Sequence, residues 1–189
     1  MGARSPPLLV VCSDLPGITL IAAVDRLAGV LTVIALVIAV ATLVLLVRGR
    51  VPAWLRDEIA LPVAAGVAAV ATAGSLWMSE VAGYVPCVLC WYQRIAMYPL
   101  VVILGIATWR RDSQVWLTAV PISVIGGAIS IWHLVIERNP GLSGPCDPAA
   151  PCAVRWVEEF GVFTLPAMAL VGFVTVIVLS LAARAPAGR

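Results

Sequence analysis

Five long apolar segments dominate this sequence, and they restrict the chain to folds that a lipid bilayer can surround. Each segment has about 20 residues with almost no charge, which is the length that an α-helix needs to cross the hydrocarbon core. The chain is 62% hydrophobic with a mean hydropathy of +1.05, which is more apolar surface than a soluble domain of 189 residues can bury. We therefore expect an all-α integral membrane protein. The predicted spans are residues 27–47, 59–78, 87–108, 115–136 and 164–183.

The last four spans predict a four-helix transmembrane bundle, and the first predicts one additional N-terminal transmembrane helix. Pro16 and Gly17 are expected to break any helix before it. This reading divides the chain into an extracytoplasmic tail, the extra helix with a cytoplasmic loop, a four-helix core and a cytoplasmic tail. These four parts are residues 1–26, 27–58, 59–184 and 185–189.

The distribution of arginine predicts the orientation of the chain. All 12 basic residues are arginine, and those on one predicted side of the membrane outnumber those on the other by seven to four. The seven are Arg48, Arg50, Arg56, Arg110, Arg111, Arg184 and Arg189. Basic loops are retained in the cytoplasm, so the N-terminus and the long loop 137–163 are expected outside. A formal net charge of +2 does not suggest a nucleic-acid partner.

Four of the five cysteines form two close pairs on the predicted extracytoplasmic side. Cys87 and Cys90 open the third span, where a helix N-terminus favours a thiolate over a thiol. Arg94 follows Cys90 by one turn and projects from the same helix face. Cys146 and Cys152 lie in the long loop. Cysteine pairs outside the cytoplasm are typical of disulfides, so this arrangement predicts sequential thiol–disulfide exchange between the two pairs.

Electrons taken from a thiol partner need an acceptor, and the sequence contains no haem or flavin signature. A quinone dissolved in the bilayer suits this role, with its head group at the depth of Cys90 and Arg94. The guanidinium would then stabilise negative charge on a reduced quinone oxygen or on the thiolate. His133, near the outer end of the fourth span, is a further candidate to contact the quinone or to relay protons. For an isolated histidine, the alternative is a hydrogen bond to a neighbouring helix.

The segment 87–94, Cys-Val-Leu-Cys-Trp-Tyr-Gln-Arg, resembles the signature of the DsbB family of disulfide-bond formation proteins. The cysteine pair two spans later and the Phe-Thr-Leu-Pro sequence at 163–166 also resemble that family, over roughly residues 59–183. Only five residues separate the two loop cysteines, as in the shorter-looped, BdbC-like members, and the N-terminal span is additional.

The resemblance implies a multi-pass protein of the bacterial inner or plasma membrane with a four-helix catalytic core. Such a protein reoxidises an extracytoplasmic thioredoxin-like (DsbA-like) disulfide oxidase and passes two electrons to ubiquinone or menaquinone. Cys90 would face the quinone, and Arg94 matches the quinone-site arginine of the family. Cys87 would exchange with the loop pair, in which Cys146 forms the mixed disulfide with the partner and Cys152 attacks Cys87.

Simpler interpretations of the same residues stay open at this point. The four cysteines would also suit two structural disulfides or a zinc site, although the spacing of the second pair is loose for zinc and we predict no metal. A transporter would need more polar residues in the spans. Arg94 would alternatively extend to the nearby membrane interface, and Glu80 and Glu137 are interpreted as solvated loop charges.

Two further local predictions concern the remaining segments. Residues 154–160 mix apolar and charged side chains, which predicts a short helix lying on the membrane surface. Cys12 is interpreted as incidental, and the pair Gly126 and Gly127 as a packing point between helices.

Overall fold

The computed structural model describes residues 16–142, 146 and 150–184, so the predictions for Cys12 and for the tail 185–189 lie outside the described residues. This part of the chain contains five helices that are long and apolar enough to cross a membrane. The helices are α1 Pro16–Val47, α2 Ala60–Glu80, α3 Val88–Arg110, α4 Trp116–Arg138 and α5 Leu165–Arg184. The fold is therefore all-α, and the prediction of five spans is confirmed, with small shifts at the ends of the last four and an earlier start for the first.

The first helix begins at Pro16 and not at residue 27, so the expectation that Pro16 and Gly17 break the helix is wrong. Proline is tolerated at the first helical position because its missing N–H would have no partner within the helix there. The helix thus includes Asp25 and Arg26, which the sequence placed in a tail. Asp25 is buried, and its carboxylate accepts a hydrogen bond from Tyr84 in the turn between α2 and α3.

Helices α2 to α5 form the bundle, in which α2 packs against α3, α3 against α4, α4 against α5, and α5 against α2. Helix α1 packs along α5 on the outside of this bundle. The centre is filled by fully buried apolar side chains from α3 and α5. These include Leu100, Leu104, Phe173, Val176 and Leu179. Small residues on α2, such as Ala64 and Ala68, are completely buried and allow the neighbouring helices to approach closely.

Gly126 lets α4 and α5 meet, because a Cβ atom at this position would overlap the ring of the buried Phe173. We expect Gly126→Ala to destabilise the bundle by about 1–3 kcal/mol, since the core cannot accept the added volume without moving the ring. Thermal unfolding in detergent measures the effect. Gly105→Ala on α3 is the matched control, because nothing lies within 4 Å of a Cβ there. Equal unfolding midpoints for the two variants would contradict the packing role of Gly126.

The segment after α4 forms a small hairpin and no surface helix, so the helix predicted at 154–160 is wrong. Two short antiparallel strands, β1 Glu158–Glu159 and β2 Phe163–Thr164, pair Glu158 with Thr164. The turn between them has positive φ angles at Phe160 (54°) and Gly161 (69°), which a helix does not allow.

Candidate functional site

Cys87 and Cys90 lie at the N-terminus of α3, at the end of the bundle that we call the cysteine end. This end consists of the α2–α3 turn, the last turns of α4 and the segment between α4 and α5. Cys87 has an extended backbone (ψ 171°) and its Sγ accepts a hydrogen bond from the Cys90 N–H at 3.3 Å, so the sulfur caps the helix. Both cysteines are free, with their Sγ atoms 2.9 Å apart. Cys87 is buried and Cys90 is half-buried.

The surroundings of Cys87 favour its thiolate. A hydrogen bond from the Cys90 thiol holds the pKa of the Cys87 thiol well below its ordinary value. Contacts with His133 and with the Cys90 N–H act in the same direction, while burial of the sulfur opposes them. These contacts favour the negative charge of the reduced pair on Cys87, and a thiolate is the form that undergoes exchange with a disulfide.

The loop cysteines are joined by a disulfide that packs against this dithiol. Cys146 and Cys152 are bonded, with their Cα atoms 5.9 Å apart. Cys152 is 1% exposed and belongs to a buried cluster with Cys87, whereas Cys146 is half-buried at the edge of that cluster. The five-residue spacing is thus long enough for the loop disulfide to reach the membrane pair. A zinc site made of four thiolates is not formed, since two of the four sulfurs bond to each other.

His133 of α4 lies between the two pairs. Its Nε2 is 3.7 Å from the Cys87 Sγ and 3.0 Å from the backbone oxygen of Cys152. Its Nδ1 is buried without a hydrogen-bond partner among the described residues. Cys87, Cys90 and His133 are also the residues that could hold a thiophilic metal, because their ligand atoms all lie within 4.8 Å of one another.

Arg94 is held inside the bundle, where it is bonded to α2. Its Nε donates to the Ser75 Oγ at 2.9 Å, and its Nη2 donates to the Ser75 backbone oxygen at 2.8 Å. Its guanidinium carbon lies 5.2 Å from the ring centroid of Trp91. Within the described ranges no carboxylate pairs with Arg94, and its Nη1 makes no hydrogen bond. A cation that is 9% exposed thus keeps a donor for an additional acceptor.

The model of the family described as disulfide bond formation protein DsbB matches residues 57–183 of this chain. The chain belongs to the DsbB family. The region matched contains α2 to α5 and all four site cysteines, whereas α1 lies outside it. A family of disulfide bond formation proteins agrees with a multi-pass helical protein that carries two cysteine pairs.

Several curated proteins are similar to this DsbB-family chain. Disulfide bond formation protein C of Bacillus subtilis (strain 168) is 46% identical over 114 residues, which cover 59% of this chain and 83% of that protein. Probable disulfide formation protein C 1 of Bacillus anthracis is 43% identical over 127 residues, or 66% of this chain and 91% of that protein. The similarity identifies the BdbC-like form of the family. No solved structure is significantly similar to the chain.

Glu137 shows where sequence reasoning about the DsbB core was wrong, because it is buried and is not a solvated loop charge. The Thr164 hydroxyl donates to its Oε2 at 2.8 Å, which ties the end of α4 to the start of α5. Glu137 also lines a cavity at the cysteine end together with Cys87, Cys90 and His133. It follows His133 by one turn, and this spacing was the available signal that both side chains face one site.

Gln93 was not identified from the sequence, although it is part of the DsbB signature. Its Nε2 donates to the Ser130 Oγ at 3.1 Å, and the Ser130 hydroxyl donates to the Gly126 backbone oxygen at 2.9 Å. Gln93 therefore ties α3 to α4 between the dithiol and the bundle core. The available signal was an amide side chain within an apolar span, because such a group needs a hydrogen-bond partner within the bundle.

Proposed function

We propose that this protein is a thiol:quinone oxidoreductase that reoxidises an extracytoplasmic thioredoxin-like (DsbA-like) disulfide oxidase. The observation that supports it most is the packing of the Cys146–Cys152 disulfide against Cys87, with His133 in contact with both pairs. A structural disulfide alone would not need a free dithiol with a favoured thiolate beside it.

The first exchange takes place at the loop. A partner thiolate attacks the Sγ of Cys146, which is the more accessible loop cysteine, and the Cys146–Cys152 bond breaks. The Cys152 thiolate leaves and attacks the Sγ of Cys87 in an oxidised Cys87–Cys90 pair, so Cys90 becomes a thiolate. The second partner thiol displaces Cys146, and Cys146 then attacks Cys152 and releases Cys87. The partner has lost two electrons, the loop disulfide is restored, and Cys87 and Cys90 are reduced.

A quinone dissolved in the lipid phase would then reoxidise the membrane pair by accepting two electrons and two protons. Arg94 would hold a quinone oxygen, since it keeps an unused N–H and has no anionic partner among the described residues. The contact with Trp91 and the bonds to Ser75 fix the guanidinium one turn from Cys90. A formed loop disulfide beside two free membrane cysteines is the arrangement that the proposed cycle requires before reoxidation.

The proposal is tested with the purified protein in detergent, a reduced thioredoxin-like partner and a soluble quinone. We expect one partner disulfide to form for each quinone reduced, measured by thiol titration and by quinone absorbance in one sample. The choice between ubiquinone and menaquinone is read from the relative kcat/KM of their soluble analogues. A protein that binds the partner but reduces no quinone would overturn the proposal and favour a structural role for the disulfides.

His133→Asn tests the role of the imidazole beside Cys87. Because His133 helps to lower the pKa of the Cys87 thiol, we expect the pH midpoint of Cys87 alkylation to move upward in this variant. In the unsubstituted protein the thiolate persists to lower pH, so alkylation stays fast below the range of an ordinary cysteine. The measurement is alkylation rate against pH with the loop disulfide intact. Ser123→Ala, a buried substitution on the same helix, is the control and should leave the midpoint unchanged.

A further inference from the structure

Helix α1 is bonded to the cysteine end through a buried carboxylate. The Tyr84 hydroxyl donates to the Asp25 Oδ2 at 2.9 Å, and Asp25 is 9% exposed. Tyr84 lies in the α2–α3 turn, three residues before Cys87. Burial and the Asp25 carboxylate raise the pKa of Tyr84 to about 12, so its hydroxyl stays protonated and remains a donor. A buried carboxylate within an apolar helix costs free energy, and the hydrogen bond from Tyr84 offsets part of this cost.

The ring of Tyr84 contacts the loop that carries the disulfide. It stacks on Trp156 with the ring centroids 5.5 Å apart and an interplanar angle of 20°. Trp156 follows Cys152 by four residues and lines the same cavity as Cys87, Cys90 and His133. A tyrosine side chain has only two rotatable angles, so a bond that fixes its hydroxyl also fixes the plane on which Trp156 rests.

A second contact between α1 and the loop lies one turn further along the helix. A Cβ atom at Gly29 would be 3.0 Å from the Cβ of Glu159 and 3.1 Å from the ring of Phe160. The lack of a side chain at Gly29 therefore allows the β1–β2 hairpin to lie directly on α1. Two contacts of different kinds, one polar and one steric, join α1 to the segment that follows Cys152.

We propose that α1 positions the loop disulfide for the internal exchange, with Asp25 and Tyr84 as positioning residues that act through Trp156. The inference rests on the proposed function and adds a role for a helix that lies outside the region matched by the family. The rate of exchange within one molecule depends on how often the two sulfurs meet in line. Loss of the Asp25–Tyr84 bond would therefore slow the transfer from Cys152 to Cys87, but not the attack of the partner on Cys146.

The test follows each cysteine pair separately in the full chain. Protein with both pairs oxidised and no quinone is mixed with excess reduced partner, quenched with acid and labelled, so that mass spectrometry counts the thiols of each pair over time. We expect Tyr84→Phe to slow the appearance of Cys87 and Cys90 thiols by about 5- to 10-fold, which is the usual effect of one lost hydrogen bond. Reduction of the loop pair should keep its rate. Tyr98→Phe is the control, because its buried hydroxyl has no partner among the described residues.

Substitutions at Asp25 distinguish a specific effect on the position of the loop disulfide from a general loss of stability. Asp25→Asn keeps an acceptor for the Tyr84 hydroxyl and should stay within about twofold of the unsubstituted rate, whereas Asp25→Leu should match Tyr84→Phe. The double variant Tyr84→Phe/Asp25→Leu should be no slower than either single variant, because both remove the same bond. Additive slowing, or equal slowing of both pairs, would overturn the inference.

The same experiment separates this inference from the proposed function. If the unsubstituted protein never transfers electrons to Cys87 and Cys90, the proposed function fails. If it does so and Tyr84→Phe has the same rate, only the positioning role of α1 fails. Unfolding midpoints of all variants are measured in the same detergent. If Tyr84→Phe does not fold, Asp25→Leu tests the loss of the same bond.

Discussion

Replacement of Cys87 by serine is expected to abolish quinone-linked turnover, with a loss of at least about 1,000-fold, because Cys90 then has no disulfide partner in the membrane pair that Cys152 could attack. The loop disulfide does not depend on this sulfur, so Cys87→Ser should still oxidise one equivalent of reduced partner in a single burst. Turnover is measured by quinone absorbance and the burst by thiol titration. Cys90→Ser should show the same loss of turnover, because the membrane disulfide cannot form.

Cys12→Ser is the matched control for these variants, since it is the same chemical change at a cysteine interpreted as incidental. It should retain the full rate of turnover. Persistent quinone reduction in Cys90→Ser would contradict the proposed relay. If Cys87→Ser merely lowered the unfolding midpoint and kept its turnover, the cysteines would be structural.

Arg94→Met is expected to raise the KM for quinone by about 10- to 100-fold, the range for a lost hydrogen bond from a charged group. Methionine keeps the length of the side chain but removes the charge and the free N–H, so the loss should appear in quinone binding. The KM for the reduced partner should not change, because the partner reacts at the loop. Steady-state kinetics with each substrate varied in turn measure both constants.

Two further variants sharpen the result for Arg94. Arg94→Lys keeps the positive charge but not the planar fork that bonds twice to Ser75, so its effect should be intermediate. Arg138→Met makes the same change at the end of α4, away from the Ser75 contact, and should leave the KM for quinone unchanged. An unchanged KM in Arg94→Met would remove Arg94 from the quinone site.

The membrane spans could be predicted from the sequence because lipid imposes one requirement on every residue of a span. Each backbone polar group must be bonded within the segment, so length and hydropathy are sufficient to find the helices. The same reasoning failed at Pro16, since a proline at the first helical position and one that ends a helix give similar patterns. It also failed for residues 154–160, where positive φ angles at Phe160 and Gly161 decide the conformation.

The site shows the same division between local pattern and distant contact. The four cysteines, Arg94 and His133 were predicted as site residues because their chemistry is visible in single residues and short spacings. Glu137 was predicted to be solvated because the residue that bonds to it, Thr164, lies 27 positions away in the sequence. Ser75, on α2, accepts a hydrogen bond from Arg94 on α3. The sequence of an apolar span does not indicate which residue a serine in it will contact.

The sequence by itself determined that this chain is a multi-span helical membrane protein with a dithiol at a helix start and a second cysteine pair in a loop. These features follow from hydropathy, spacing and residue chemistry, which are local properties. Only the tertiary structure decided that the short loop reaches Cys87, that Arg94 stays inside the bundle, and that α1 bonds to Tyr84. Those contacts join residues far apart in the chain, and their formation depends on how the helices pack.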